Sequence, residues 1–250
     1  MGVVMRFLAI RLKSKLLGFL VGAALGVVAG NAAHAANLIL DGSFEDPTVG
    51  NASFTLFSTG STFGSGNPWT VVGTPGGNVG IVDTNFSQNG ILFVAQDANQ
   101  WIDLTGVTQT PQEGVQQTVA TTIGQQYSLS FYVGNVNNGT GIFGTTSTID
   151  VSITGSPIFV ATNSCTLCTT TLAWQLFTTT FTATSASTAI AFLNGDPTSD
   201  TSNGLDNISL NLANVGATPL PAALPLFATG LGAMGLLGWR RKRKGAAVAA

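Results

Sequence analysis

Every Lys and Arg of this 250-residue chain lies near one of its two ends. Arg6, Arg11, Lys13 and Lys15 stand at the start, and Arg240, Arg241, Lys242, Arg243 and Lys244 near the finish. All 11 acids lie between, from Asp41 to Asp206, and the single His, His34, sits beside the first basic cluster. The long middle must therefore fold without an internal cation to neutralise its carboxylates. That lack also removes a His general base, a Lys Schiff base and an Arg phosphate clamp. Nucleic-acid binding needs a basic footprint, which the middle does not have. The formal charge of −2 averages over three unlike segments and describes none of them.

The polar remainder of the middle is Thr, Ser, Asn, Gln and Gly. With 31 Gly and abundant Thr, the composition disfavours helix and suits short strands joined by turns. Tyr127, Leu129, Phe131 and Val133 alternate along Tyr127–Val133, and Ile149, Val151 and Ile153 along Thr148–Thr154. That period of two is the mark of a half-buried strand. Asn37–Leu40, Val79–Val82, Ile91–Ala95, Gly114–Thr122, Thr171–Thr184, Thr188–Leu193 and Leu205–Leu212 read as further strands. Turns fall at the Gly, Asn, Asp and Pro clusters 73–78, 135–144 and 194–204. No segment of the middle has helical periodicity. The expected fold is all-β, an antiparallel sandwich of jelly-roll type spanning residues 36–215.

The ends read as addresses. After the first basic cluster comes an apolar run from Leu16 to Ala29, then Ala33-His34-Ala35. This order matches a secretory signal peptide over residues 1–35, cut after an Ala-x-Ala site formed by Ala33 and Ala35. The run is short for a membrane span of about 20 residues, which argues against an uncleaved anchor. Leu220–Trp239 is apolar and uncharged, long enough for a membrane helix. The positive-inside rule keeps Arg240–Lys244 cytoplasmic. Both basic clusters then share the cytoplasmic side, and the acidic middle is exported.

Thr218-Pro219-Leu220-Pro221-Ala222, the glycine-rich apolar stretch and the Trp239–Lys244 basic end resemble a PEP-CTERM sorting signal. The nearest form is its Val-Pro-Leu-Pro-Ala variant (VPLPA-CTERM), with Thr218 in place of Val. The resemblance covers residues 216–250 and implies recognition by an exosortase in a Gram-negative bacterium that makes exopolysaccharide. Pro219, Leu220, Pro221 and Ala222 would be the sorting motif. The departure is the tail Gly245–Ala250, which runs past the usual basic end. A plain tail anchor is the alternative, and removal or retention of the helix stays open.

A second resemblance covers the middle. Asn37-Leu38-Ile39-Leu40-Asp41-Gly42-Ser43-Phe44-Glu45 resembles the first strand of galactose-binding-like jelly rolls, with Asp41 where Asn is usual. Gly204-Leu205-Asp206-Asn207-Ile208 resembles their last strand, and carbohydrate-binding modules belong to the same class. The resemblance implies that Glu45 and Asp206 lie side by side and hold a structural Ca²⁺, which favours hard oxygen ligands. The plainer alternative is that both accept backbone N–H bonds.

Other candidates come from the residues alone. Trp69, Trp101, Trp174 and Tyr132 could stack on sugar rings. Trp101, beside polar Asn99 and Gln100, reads as the exposed one, with Gln96 nearby for hydroxyl contacts. Trp174 reads as core. Asp97 and Asp103 flank Trp101 and could serve as paired glycosidase acids, but without the basic neighbours such acids usually have. Cys165 and Cys168 lack a helix for a redox motif and further ligands for zinc, so a small disulfide is expected.

Together these readings describe a non-catalytic, exosortase-sorted protein of the cell surface or extracellular matrix, associated with exopolysaccharide or biofilm. Its partners would be signal peptidase, exosortase and polysaccharide, with the membrane touched only before processing. The alternatives are an adhesin for one glycan and a secreted glycan hydrolase.

Overall fold

The structure is a computed structural model that describes residues 37–108, 112–139, 141–166, 168–198 and 200–213. The signal segment 1–35, its Ala33 and Ala35, the sorting motif 219–222 and the segment 220–239 lie outside the described residues. Among the described residues no helix is long and apolar enough to cross a membrane.

The described residues form 14 strands and no helix. One six-stranded sheet has the order β1 (Phe54–Ser58), β4 (Asn78–Asp83), β7 (Gln100–Asp103), β14 (Gly204–Leu212), β9 (Gln126–Asn135) and β12 (Ala173–Thr182). The second, also six-stranded, runs β11 (Phe159–Asn163), β10 (Ser147–Ile153), β13 (Ser187–Asn194), β8 (Gly114–Ala120), β3 (Trp69–Val72) and β2 (Thr62–Phe63). A hairpin of β5 (Ser87–Gln88) and β6 (Ile91–Leu92) stands apart. All pairs within the sheets are antiparallel.

The two sheets pack face to face, because each strand turns its alternate apolar residues inward. Leu129, Phe131 and Val133 of β9 are fully buried, as are Ile149 and Val151 of β10. Phe131 meets Phe192 of β13 across the interface with ring centroids 5.2 Å apart, and Phe192 meets Trp69 at 6.4 Å. Each such side chain contributes about 1.5–3 kcal/mol when removed from water. The all-β antiparallel sandwich expected from the alternation is therefore the fold.

The strand reading needs correction in places. Asn37–Leu40 is not a strand. It lies against β14, with Leu38 N–H donating to the Leu210 carbonyl at 2.9 Å. The Asn37 side chain takes over part of the ladder: its Oδ1 accepts from Leu210 N–H at 2.8 Å, and its Nδ2 donates to the Ile208 carbonyl at 3.1 Å. Of Ile91–Ala95 only the first two residues pair as strand. Strands β1, β3, β7 and β11 were not anticipated, since they are only four or five residues long.

One corner of the first sheet is buried on both faces. Ile81 and Ile102 point into the sandwich. Their chain neighbours Val82 and Trp101 point outward into a second apolar cluster with Ile91, Phe93, Val136, Phe143 and Leu172. The β5–β6 hairpin and the 141–144 turn supply that outer cover, and a cavity lies beneath it.

Candidate active site

A cavity of about 320 Å³ opens beside the second cluster. Phe54, Leu56, Val82, Phe86, Phe93 and Trp101 form much of its wall, with Val107, Ile142 and Phe143 beside them. The polar side chains in the lining are Gln88, Asn89, Asp103 and Thr201. An apolar chamber with a few polar groups is the usual form of a small-molecule site.

Asp103 ends β7, two residues after Trp101 and therefore on the same outward face. Its cross-strand partners are Gly80 on β4 and Gly204 on β14. Neither carries a side chain, so the sheet leaves space around the carboxyl. Asp103 Oδ1 accepts three hydrogen bonds: Thr105 N–H at 3.0 Å, Thr105 Oγ1 at 2.8 Å and Asn203 N–H at 3.1 Å. No described residue donates to Oδ2, and Asp103 is one of the cavity walls. Burial pushes its pKa up to about 6, against the opposing pull of the Asn203 and Thr105 bonds. A carboxyl of that pKa can both give and take a proton near neutrality.

Trp101 is not an exposed platform. It is 1% exposed, and its Nε1 donates to the Phe93 carbonyl at 3.0 Å. Its ring stacks on Phe93 at 6.0 Å and meets Trp174 edge-on at 5.9 Å. Trp174, expected in the core, is the less buried of the two, with Nε1 donating to the Val94 carbonyl at 2.9 Å. Trp69 is fully buried and donates to the Asp41 carbonyl. Gln100 is an internal staple: Nε2 donates to the Phe44 carbonyl at 2.6 Å and the Pro47 carbonyl at 3.1 Å, while Oε1 accepts from Val49 N–H. Its amide is already occupied within the fold. Asn99 remains exposed, with Nδ2 donating to Glu45 Oε2 at 3.3 Å.

Glu45 and Asp206 share a task. Glu45 Oε1 accepts the N–H groups of Asn99 and Gln100 at 2.8 and 2.7 Å. Asp206 Oδ2 accepts those of Gln96 and Asp97 at 2.8 and 3.0 Å, and Oδ1 accepts from Asn207 N–H at 2.7 Å. The two carboxylates thus clamp one loop, residues 95–100, that leads into β7 and Trp101. A register shift in β14 between Asp206 and Ser209 accompanies the turn of Asp206 toward that loop. Every oxygen of the pair takes an N–H, so a calcium ion would share oxygens already engaged by donors. Burial first, with Asp97 adding to it, pushes Asp206 up to about 7.

Asp97 and Asp103 are not brought together as a glycosidase pair. Asp97 is exposed and accepts from Ser43 Oγ at 2.8 Å, away from the cavity walls that include Asp103. Cys165 and Cys168 are free thiols in the structure. Cys168 Sγ donates to the Cys165 carbonyl at 3.3 Å, and burial, then Cys165, pushes its pKa up to about 11.

Sequence reasoning missed the walls Phe54, Phe86, Phe93 and Phe143. They come from β1, the two ends of the β5–β6 hairpin and the 141–144 turn, so no local period unites them.

An all-β sandwich with an acid in an apolar side chamber is the class of protein the fold and site define. The profile of the HpiC1-like family, described as HpiC1 cyclase, matches residues 35–211, well over half of the chain. The chain belongs to the HpiC1-like family. No curated protein matches it. Among solved structures it is similar to the Stig cyclase Fisc from Fischerella sp. TAU in complex with (3Z)-3-(1-methyl-2-pyrrolidinylidene)-3H-indole. That pair shares 16% identity with a TM-score of 0.49, covering 70% of this chain and 96% of that one. It is also similar to the CBM22-1 xylan-binding domain of Paenibacillus barcinonensis Xyn10C, at 14% identity and a TM-score of 0.38, covering 66% and 97%. A structure titled "CBM4 structure and function" is similar at 14% identity and a TM-score of 0.33, covering 70% and 99%.

The family match corrects the expectation of a protein without catalysis, because the family is one of cyclases, which are enzymes. The lack of Arg, His and Lys argued against acid–base chemistry, but burial alone raises the Asp103 pKa without any basic neighbour.

Proposed function

We propose that this galactose-binding-like jelly roll is a ring-forming enzyme in which Asp103 is the acid–base group and the aromatic chamber binds an apolar, unsaturated substrate. The observation that carries the reading is Asp103 Oδ2, without a donor among the described residues, on a carboxyl with a raised pKa in the cavity wall. In the reaction the protonated Oδ2 gives its proton to an unsaturated atom of the substrate. The resulting cation is attacked by a π bond of the same molecule, closing the ring with a new bond. A proton then leaves the product for the Asp103 carboxylate, so the acid is regenerated and nothing is oxidised or reduced. The faces of Phe93, Phe143 and Trp101 favour the transient cation by cation–π attraction, of order 1–2 kcal/mol in a dry site.

The test is turnover of a panel of alkenyl-substituted aromatic compounds by wild type and Asp103→Asn. The variant should lose activity by about 10²–10⁴-fold while still quenching Trp fluorescence on substrate binding. Wild-type kcat should fall as pH rises through about 6, where Asp103 loses its proton. Full activity of Asp103→Asn on a substrate that wild type cyclises would remove Asp103 from the chemistry.

We further propose that the enzyme is exported and sorted by the signals at residues 1–35 and 216–250 through signal peptidase and an exosortase, reaching the surface of a Gram-negative cell. Mass spectrometry of the mature protein should find a start at Ala36 and no segment 220–239; an intact C-terminal segment at the surface would count against sorting. The outer face of β9, β12 and β14 supports contact with extracellular polysaccharide, since Ser128, Ser130, Thr178, Thr180, Ser209 and Asn211 are hydroxyl and amide side chains that are not buried.

A further inference from the structure

The loop between β11 and β12 is a third part of the cover over the outer apolar cluster, and it holds the other two. The Cys168 carbonyl accepts Asn137 N–H at 3.1 Å, where the chain leaves β9 for the 141–144 turn. The Thr170 carbonyl accepts Leu92 N–H of β6 at 3.0 Å, and Leu172 N–H donates back to the Leu92 carbonyl at 3.1 Å. Leu92 and Thr171 thereby form a parallel bridge. The β5–β6 hairpin belongs to neither six-stranded sheet, so these bonds fasten it sideways to the start of β12. Leu172 is buried in the cluster with Ile91, Phe93 and Phe143.

The start of this loop is fixed. Asn163 Nδ2 donates to the Val133 and Ala173 carbonyls at 2.8 and 2.9 Å, and its Oδ1 accepts Cys165 N–H at 3.2 Å. The chain then turns back at once. Cys168 Sγ reaches the Cys165 carbonyl at 3.3 Å, and the Cys165 thiol is its side-chain hydrogen-bonding neighbour. Two thiols in contact across a turn meet the main demand of a disulfide, which bridges Cβ atoms about 3.5–4.5 Å apart. Cys168 is buried and Cys165 half-buried. The chain has no other Cys, and its single His is His34, so zinc lacks a full ligand set here.

We propose that Cys165 and Cys168 are a redox pair whose disulfide clamps the cover of the chamber. The pair rests on the export reading for its oxidising compartment. Cys165, the more exposed thiol, attacks a disulfide of the oxidant as its thiolate and displaces one thiol. Cys168 Sγ then attacks Cys165 Sγ and releases the second. Two protons and two electrons leave the pair, one S–S bond forms, and the oxidant's disulfide becomes two thiols. The oxidant is a disulfide-bearing oxidoreductase of the export compartment, or oxidised glutathione in a test tube. The closed ring fixes the residue 168 carbonyl that holds Asn137, and it tethers the strand of chain that holds Leu92. In the reduced form only a weak thiol–carbonyl bond keeps the turn.

The test is a titration of the purified full chain with oxidised glutathione, whose outcome does not depend on whether the protein is exported. Mass mapping without reduction should find one internal bond between Cys165 and Cys168. Amide hydrogen exchange should then slow by about threefold or more at Asn137, Leu92 and Leu172, while Leu38, bonded to the Leu210 carbonyl, keeps its rate. The melting midpoint should rise by about 4 °C on oxidation and return with dithiothreitol. Cys165→Ser/Cys168→Ser should exchange like the reduced chain with or without oxidant. None of these readouts uses turnover, so they stand apart from the role of Asp103. Thiols that stay reduced in excess oxidised glutathione, or carry glutathione without closing on each other, would overturn the pair. A bond that forms without slowing exchange at Asn137 and Leu92 would overturn the clamp.

Discussion

Gln100 shows how a residue read as a surface ligand becomes a structural necessity. Its position on β7 beside Ile102's face turns the amide inward, where it ties the 44–49 segment through three bonds. Gln100→Ala strands two backbone carbonyls and one N–H. It should lower unfolding stability by about 2–4 kcal/mol in urea titrations. A loss below about 0.5 kcal/mol would mean that the 44–49 segment finds other partners. Trp101 carries the same lesson. Polar neighbours at 99 and 100 suggested exposure, but the strand period places Trp101 opposite Gln100, and this corner of the sheet is covered on both faces. Local polarity could not reveal a second cover that arrives from residues 86–93 and 143.

At the scale of elements, the sandwich depends on close strand approach at glycines. Gly114 of β8 lies opposite Leu193 of β13, and a Cβ there would stand 1.9 Å from the Phe192 carbonyl oxygen. Gly114→Ala should therefore separate the two central strands and cost about 3 kcal/mol or more, beyond the usual range of point changes. Gly50→Ala is the control. Its nearest atom would be 3.8 Å away, and the expected change is within about 0.5 kcal/mol. Equal melting points for the two variants would show that β8 and β13 tolerate spreading. The long strands β9, β10, β13 and β14 were legible because their alternation runs over seven to ten residues. β3 and β7, at four residues each, have too few alternations to stand out from a loop. The first-strand reading of 37–40 failed because the Asn37 side chain, rather than backbone, makes part of the ladder.

For the whole molecule, the separation of charge becomes a pH dependence. Burial raises Asp41 and Asp103 to about 6, Asp196 and Asp206 to about 7, and Asp200 to about 8, from a model-compound value of 3.8. A folded pKa above the unfolded one means that the native state binds protons more tightly. Stability then falls as pH rises from about 4 to about 8, the reverse of the usual salt-bridged carboxylate. In chelator the midpoint should be lower around pH 8 than around pH 5, by about 5 °C or more. A flat profile in chelator would show that these acids are better solvated than the fold implies.

The sequence by itself determined the absence of basic side chains from the middle and the all-β sandwich. Each of these follows from residue type and short-range period, which a linear chain displays directly. Only the tertiary structure decided where the apolar chamber and its buried carboxyl lie. Asp103 gains its raised pKa and its place in a chamber wall because burial and the distant Phe54, Phe86, Phe93 and Phe143 surround it. Desolvation is a property of neighbours gathered across the sheets, and no spacing along the chain encodes it.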